Sequence, residues 1–125
     1  MEGYNKFEVL PSLHINGKLT LIENIADFGG LTIAYHAYKL SSKGEPETTD
    51  GLTEDQKFFL SFAQVWRESD TDGYLWTEVL TELHSPSKYR VNGVVYNMPE
   101  FYMAFPNVKP GDKLYKPESE RPVIW

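Results

Sequence analysis

Residues 22–40 read IENIADFGGLTIAYHAYKL, and this stretch decides the fold. Its apolar residues recur at close to helical spacing, which is typical of one face of an α-helix. A long helix is therefore predicted from Ile22 to about Leu40, although Gly29 and Gly30 lower the helix propensity of its first turns. The apolar positions are Ile22, Ile25, Ala26, Leu31, Ala34, Tyr35 and Tyr38.

Two carboxylates, Glu23 and Asp27, stand four residues apart at the head of this run. At that spacing they share one face of a helix. Such a pair can divide labour in a metal site, since one carboxylate touches the ion and the other orients the imidazole of a second ligand. Acids in a first helical turn are also common for a simpler reason, because they complement the helix dipole. The residues alone leave both interpretations open.

Three further helices are indicated by capping patterns. Thr53 and Gln56 have the form of a capping box. The next helix is expected to begin at one of residues 69–71 and to run to about Leu83. A short helix follows, with a cap at residues 97–98, an early proline and an end at Phe105. The helix after the capping box carries an aromatic-rich stripe, consisting of Phe58, Phe59, Phe62, Val65 and Trp66.

The remaining segments predict extended or irregular structure. Residues 1–18 favour an extended or hairpin-like start with a turn at Asn16-Gly17. Residues 41–51 are rich in Ser, Gly, Pro, Glu and Thr, which is typical of an exposed loop. Residues 89–96 form either a short hairpin around Asn92-Gly93 or a crossing loop. The tail from residue 106 contains four prolines and no period, so it should wrap the surface.

Size and composition fit one compact domain covering residues 1–125. The chain is 41% hydrophobic, and its 18 acidic residues outnumber 12 scattered basic ones, for a net charge of -6. Nucleic acid is therefore not an expected partner. No apolar run approaches the length of a membrane span, and no targeting segment is recognised, so the compartment stays open. The chain has no Cys, which leaves His, Asp and Glu as metal ligands.

The stretch ENIADFGGL at residues 23–31 resembles the second signature of the neprilysin-like zinc metallopeptidases, a family that includes the endothelin-converting enzymes and bacterial oligopeptidases. The similarity covers nearly the whole chain. It implies a mainly α-helical chain with short extended segments, forming the C-terminal part of a thermolysin-like (gluzincin) catalytic domain. The similarity continues through FLSFAQVW at 59–66, HSPSKYRVNG at 84–93, Glu100-Phe101, Ala104-Phe105 and Trp125.

The resemblance implies one zinc ion, with Glu23 as the third protein ligand and Asp27 as the acceptor that orients a zinc-binding histidine. The family takes its other two ligands and its general base from an H-E-x-x-H helix. No His-Glu pair occurs in this chain. The chain is therefore interpreted as the C-terminal piece of a longer enzyme and is expected to be inactive alone.

Four more residues receive roles from the same resemblance. His84 would hydrogen-bond the oxyanion of the tetrahedral intermediate, and Arg90 would hold a backbone carbonyl of the peptide. Val65 and Trp66 would line the pocket for the residue after the scissile bond. Without the resemblance, His84 is a cation at a helix C-terminus, Arg90 is a surface residue, and Val65 and Trp66 belong to the core.

The expected function of the longer protein is zinc-dependent hydrolysis of short peptides on the amino side of a bulky apolar residue. The alternative is a non-catalytic helical interaction module derived from such an enzyme. A metal-binding module using His14, His36, His84 and Glu23 is not favoured, because the spacings match no compact site and His36 falls on the helix face opposite Asp27. Apolar surface left bare by a missing half would favour self-association.

Overall fold

The computed structural model describes residues 2–41 and 48–124 and shows a predominantly helical chain. The mainly α prediction, with short extended segments, is therefore confirmed. Within the described ranges, two-residue and three-residue strands pair as antiparallel hairpins, β1 (Glu8–Leu10) with β2 (Leu13–His14) and β3 (Thr48–Thr49) with β4 (Leu52–Thr53). The helices are α1 (Glu2–Asn5), α2 (Leu21–Ser41), α3 (Glu54–Val65), α4 (Asp72–Thr81), α5 (Ser87–Val95) and α6 (Pro99–Ala104), followed by a 3-10 turn at Glu118–Glu120.

The first hairpin is present, but its predicted turn is wrong. The chain reverses at residues 11–12, where Ser12 has φ 64° and its N–H donates to the Glu8 carboxylate at 2.9 Å. Asn16 instead uses its side-chain oxygen to accept the N–H groups of residues 18 and 19, each at 3.1 Å. This local hydrogen bonding fixes the turn that leads into α2.

The predicted helix starts are confirmed at α2, α3 and α4. The Gln56 N–H donates to Thr53 Oγ1 at 3.2 Å while the Thr53 N–H donates to Gln56 Oε1 at 3.0 Å, which completes the capping box. Thr71 caps α4 through its hydroxyl. That helix ends at Thr81, two residues before the predicted end at Leu83.

Residues 89–96 form neither a hairpin nor a crossing loop, so that prediction is wrong. They belong to α5, which begins after Pro86 and packs against α2. Burial explains the error, because Val94 and Val95 are buried and tertiary packing overrides the strand propensity of valine. Gly93 lies directly under the ring of Tyr4.

The core lies between α2, α3, α5 and α6. Phe59 is its centre, since its ring stacks on Tyr35 with centroids 5.6 Å apart and meets Phe101 edge-on at 5.5 Å. The expectation that Val65 belongs to the core is wrong, because Val65 is 78% exposed. The buried members are Leu31, Tyr35, Phe59, Val94, Val95, Met98 and Ala104.

The predicted loop at residues 41–51 ends in the β3–β4 hairpin, whose turn residues Asp50 and Gly51 have positive φ. Residues 42–47 lie outside the described part of the chain. The tail folds back over the surface, where Lys116 donates from Nζ to Asn97 at 2.6 Å and Arg121 covers the Tyr102 ring at 3.8 Å. Across residues 2–41 and 48–124, none of the helices has the length and hydropathy to cross a membrane.

Candidate functional site

The two predicted carboxylates lie on the first two turns of α2, on the side that faces α5 and the α4–α5 loop. Each of them contacts one of the basic residues singled out in the sequence. The Glu23 side chain is 35% exposed, whereas the Asp27 side chain is only 13% exposed. The structure therefore brings Glu23, Asp27, His84 and Arg90 together, although 61 positions separate Glu23 from His84 and 63 separate Asp27 from Arg90.

Arg90 and Asp27 form a two-pronged ion pair. Arg90 donates from Nε to Asp27 Oδ2 at 2.7 Å and from Nη2 to Asp27 Oδ1 at 2.6 Å. These hydrogen bonds raise the pKa of Arg90 above its ordinary value, so the guanidinium stays charged. Its carbon also lies 3.9 Å from the centroid of the Trp66 ring, in a cation–π contact. Arg90 is thus held by a carboxylate on one side and an indole on the other, and it is not the solvated surface residue that its type alone favours.

His84 lies in the loop between α4 and α5, and its Nε2 is 3.2 Å from Glu23 Oε2. The imidazole is 46% exposed, so this contact is open to water on one side. Because α4 ends three residues earlier, His84 is outside the last helical turn, and its interpretation as a helix C-terminal cation is wrong. The loop instead directs the ring at the carboxylate of α2.

Two polar residues that were not singled out in the sequence hold that loop in place. The buried Ser85 hydroxyl donates to Asn24 Oδ1 at 2.8 Å, and Asn24 Nδ2 donates to Thr20 Oγ1 at 2.8 Å. Asn24 and Ser85 directly follow Glu23 and His84, so this hydrogen-bonded chain holds the two predicted site residues close together. The sequence places a polar residue directly after each of Glu23 and His84. That these two polar residues are buried and hydrogen-bonded to each other, 61 positions apart, is visible only in the fold.

Val65 is the last residue of α3, and Trp66 is its C-cap. Trp66 is half-buried against Arg90, whereas Val65 stands at the end of an apolar groove of about 460 Å³ between α2 and α3. Leu31, Ala34 and Phe62 also line that groove. An exposed valine beside a groove is consistent with a binding surface, and its contact with substrate stays a prediction.

The other two histidines do not belong to the group formed by Glu23, Asp27, His84 and Arg90. His14 is exposed on β2, and His36 is exposed on α2. In the ranges that the structure describes, no three His, Asp or Glu side chains form a group that could hold a metal ion. Glu23 therefore offers one carboxylate to a metal, and a complete site needs ligands beyond these residues.

The comparisons with known proteins identify the family. The family model of Peptidase family M13 matches residues 1–122. Neprilysin-3 of Drosophila melanogaster is 44% identical over 117 residues, which cover 89% of this chain and 14% of that protein. Endothelin-converting enzyme 1 of Bos taurus is 45% identical over 105 residues, covering 81% of this chain and 14% of the relative.

A solved structure extends the agreement to three dimensions. The Mycobacterium tuberculosis zinc metalloprotease Zmp1, seen by cryo-EM in an open state, superposes with a TM-score of 0.92 at 38% identity. The match covers 99% of this chain and 20% of Zmp1. This chain thus spans about a fifth or less of the relatives described above. Sequence and fold lead to one conclusion: the chain belongs to peptidase family M13.

Proposed function

We propose that residues 1–125 form a single domain unit that acts as the C-terminal part of a zinc-dependent metalloendopeptidase. The observation that carries the proposal is the pair of contacts on one face of α2, Glu23 with His84 and Asp27 with Arg90. A carboxylate ligand beside an imidazole donor, with a fixed guanidinium one turn further on, supplies one metal ligand and two stabilising groups of the set that zinc-dependent cleavage of an amide requires. Alone, this chain is expected to be inactive.

Glu23 would hold the zinc ion through its carboxylate. Two histidine ligands and the general base would come from an H-E-x-x-H helix elsewhere in the complete gene product. When bound, zinc would act as a Lewis acid that polarises the scissile carbonyl and lowers the pKa of its water. The Asp27 oxygens each accept one hydrogen bond from Arg90 and keep a second lone pair, with which Asp27 would orient a ligand imidazole.

His84 would donate from Nε2 to the oxyanion of the tetrahedral intermediate. That nitrogen already lies at 3.2 Å from Glu23, so a proton on it points toward the ligand carboxylate and the reacting centre. The Ser85–Asn24 hydrogen bond fixes the loop before substrate arrives. A donor positioned in advance stabilises developing charge without the cost of reorganisation.

Arg90 would bind a backbone carbonyl of the peptide with the N–H groups that Asp27 does not use. Its guanidinium cannot swing away, because Asp27 and Trp66 hold it from two sides. Val65 and Trp66 would then contact a bulky apolar side chain after the scissile bond. These roles give a substrate class, short peptides cleaved on the amino side of such a residue.

The test is an assay of the complete gene product on a quenched peptide with and without a zinc chelator. Cleavage should stop with the chelator and return with added zinc. His84→Ala should lower kcat by about 100- to 1000-fold while KM changes little, since it removes a donor to the transition state. A loss confined to KM, with turnover intact, would contradict the oxyanion role.

A non-catalytic interaction module remains the second candidate, and one observation favours it. Large apolar side chains stand exposed on α2 and α4, among them Ile22 at 77% and Leu80 at 63%. If no further domain covers them, they offer a surface for a partner or for a second copy of the chain. Light scattering of this chain at high concentration would contradict self-association by returning a monomer.

A further inference from the structure

Tyr4 brings a phenol hydroxyl to the boundary between α2 and α5, near the Asp27–Arg90 pair. Its ring reaches α5 at Gly93, where a Cβ would overlap the Tyr4 hydroxyl. Arg90 and Gly93 are three residues apart and therefore share one face of α5, the face on which Arg90 meets Asp27 of α2. The glycine thus leaves the room that lets the phenol approach the ion pair.

The segment before α2 holds the Tyr4 ring in this position. The Phe7 ring meets it edge-on with centroids 5.5 Å apart and also packs on Tyr89, with centroids 5.1 Å apart. Tyr89 in turn donates from its hydroxyl to a backbone carbonyl of β1 at 2.5 Å. Since Arg90 lies between Tyr89 and Gly93, the α1–β1 segment contacts α5 on both sides of Arg90.

The Tyr4 hydroxyl is fully buried and has no hydrogen-bond partner among residues 2–41 and 48–124. Such a group is costly, because it gives up its hydrogen bonds to water and gains none in the fold. Burial raises the pKa of Tyr4 above its ordinary value, and the charge of Asp27 raises it further, while that of Arg90 lowers it. The phenol therefore stays protonated at neutral pH and can donate a hydrogen bond.

Asp27 can accept that hydrogen bond. Its two oxygens each accept one hydrogen bond from Arg90, which leaves one lone pair on each of them. The proposed function uses one of these lone pairs for a ligand imidazole, and the other remains. Because this chain encloses the Tyr4 hydroxyl, only a small molecule can link it to the carboxylate. One water molecule with partners at Tyr4, Asp27 and Arg90 meets the requirements of a buried water.

We propose that Tyr4 is a positioning residue whose hydroxyl holds the Asp27 carboxylate, and through it Arg90, by way of one enclosed water molecule. The hydrogen bonds then run from α1 through the water to α2 and on to α5. That this arrangement serves peptide binding rests on the proposed function, in which Arg90 binds a backbone carbonyl. The hydrogen bonds themselves do not depend on that function, so the two can be tested separately.

The first test is the stability of Tyr4→Phe, which removes the hydroxyl and keeps the ring. Loss of a hydrogen bond linked to a charged group should raise the equilibrium constant for unfolding by about three- to tenfold. Tyr74→Phe, at an exposed tyrosine of α4, is the matched control and should change this constant by less than about twofold. Urea unfolding followed by circular dichroism measures both variants.

A Tyr4→Phe chain that is as stable as the unmodified chain, or more stable, would overturn the proposal. An unpaired buried hydroxyl is a cost that phenylalanine removes, so the sign of the change separates a bonded hydroxyl from an unbonded one.

Two NMR measurements on this chain report on the water and on the positioning. In the unmodified chain, a long-lived water molecule should give nuclear Overhauser effects to the Tyr4 ring protons beside the hydroxyl. The order parameter of the Arg90 Nε–H bond should fall in Tyr4→Phe and stay unchanged in Tyr74→Phe. A hydroxyl that acted on stability alone would leave this order parameter unchanged. The absence of the water signals, or an unchanged order parameter in Tyr4→Phe, would overturn the proposal.

In the complete gene product, a loosened Arg90 should weaken peptide binding. Tyr4→Phe should raise KM for a quenched peptide by about three- to tenfold and leave kcat within about twofold, with the zinc content unchanged. A fall in kcat at constant KM would overturn the assignment of Tyr4 to the positioning of Arg90. A complete gene product without peptidase activity would overturn the proposed function, while the stability and NMR measurements would still decide the role of the Tyr4 hydroxyl.

Discussion

Two acid–base pairs lie one turn apart on α2, and they differ in how firmly the fold holds them. Asp27 and Arg90 share two hydrogen bonds of 2.6 and 2.7 Å, and their side chains are 13% and 17% exposed. Glu23 and His84 share a single contact of 3.2 Å, with 35% and 46% of their side chains exposed. The first pair is enclosed by packing, whereas the second faces open solvent.

Under the proposed function, this difference would let one helix carry a positioning pair and a reactive pair. A pair that is desolvated and bonded twice resists rearrangement, so Asp27–Arg90 provides a rigid reference for the site. A half-exposed pair costs little to open, so Glu23 and His84 can exchange their mutual contact for a metal ion and a substrate oxygen. Asp27 and Arg90 would thus stay fixed, whereas Glu23 and His84 stay accessible to a ligand.

The largest effect is expected from a variant that breaks the enclosed Asp27–Arg90 pair. Asp27→Asn should reduce the free energy of unfolding by about 3 kcal/mol, because Arg90 then loses its charged partner in a part-buried place. Urea unfolding followed by circular dichroism measures this. Glu23→Gln is the matched control and should cost less than about 1 kcal/mol. Equal losses of unfolding free energy in the two variants would contradict the claim that the fold holds Asp27–Arg90 more firmly than Glu23–His84.

The next variant tests the packing of Tyr4 against α5, the helix that bears Arg90. A Cβ at Gly93 would lie about 2.8 Å from Cε1 of Tyr4 and still closer to its hydroxyl, too close for any real contact. Gly93→Ala should therefore destabilise the chain by about 2 kcal/mol, although alanine normally stabilises a helix relative to glycine.

Gly30→Ala in α2 provides the control for that variant. Apart from its own helix backbone and its chain neighbours, no atom of the described residues lies within 4 Å of the position that its Cβ would take, so the substitution should stabilise the chain by up to about 1 kcal/mol. Thermal unfolding of both variants compares the two signs. Stabilisation by Gly93→Ala would mean that Tyr4 does not press on α5.

The hydrogen-bonded chain beneath the exposed pair should show a smaller effect. Ser85→Ala leaves Asn24 without its donor in a buried place and should cost about 1.5 kcal/mol. It should also broaden or shift the NMR resonances of the His84 ring, since the loop loses its anchor. Ser61→Ala, an exposed serine on α3, should do neither. An unchanged His84 spectrum would show that the Ser85–Asn24 hydrogen bond does not fix the loop that carries His84.

The smallest expected effect concerns a third ion pair, which is far from the site. Burial alone would raise the pKa of Asp55, but hydrogen bonds from Lys39 and Tyr38 bring it below its ordinary value. Ionised Asp55 therefore stabilises the fold above the unfolded pKa of about 3.9, and this contribution is lost as the pH falls through the lower folded value.

Asp55→Asn should accordingly cost about 1 kcal/mol or less at neutral pH, because Lys39 is half exposed. The difference from the unmodified chain should shrink as the pH falls below about 3. Urea unfolding at several pH values measures it. A difference that grows toward acid pH would show that Asp55 does not act through its charge.

Most of the helices were accessible from the sequence because they depend on local signals, whereas the roles of the site residues come from the resemblance and stay predictions. The capping box at Thr53 and the period of residues 22–40 both led to helices that the structure contains. The helix at residues 87–95 was missed because its valines and tyrosine favour strands locally, and only burial against α2 decides the outcome.

The contacts within the site could not be predicted in the same way. The resemblance assigned roles to Asp27 and Arg90 separately, but their ion pair joins residues 63 positions apart. The exposure of Val65 was missed for a related reason, since an aromatic-rich stripe does not reveal where its helix leaves the core. Contacts between distant residues depend on how α2, α3 and α5 pack, which no single segment encodes.

The most direct test of the central claim is the zinc content of the complete gene product, measured by atomic emission in the unmodified protein and in Glu23→Ala and His84→Ala. We expect one zinc ion per molecule in the unmodified protein, its loss in Glu23→Ala, and its retention in His84→Ala with turnover lowered. Full zinc occupancy in Glu23→Ala would contradict the assignment of Glu23 as a ligand and, with it, the proposed role of this chain.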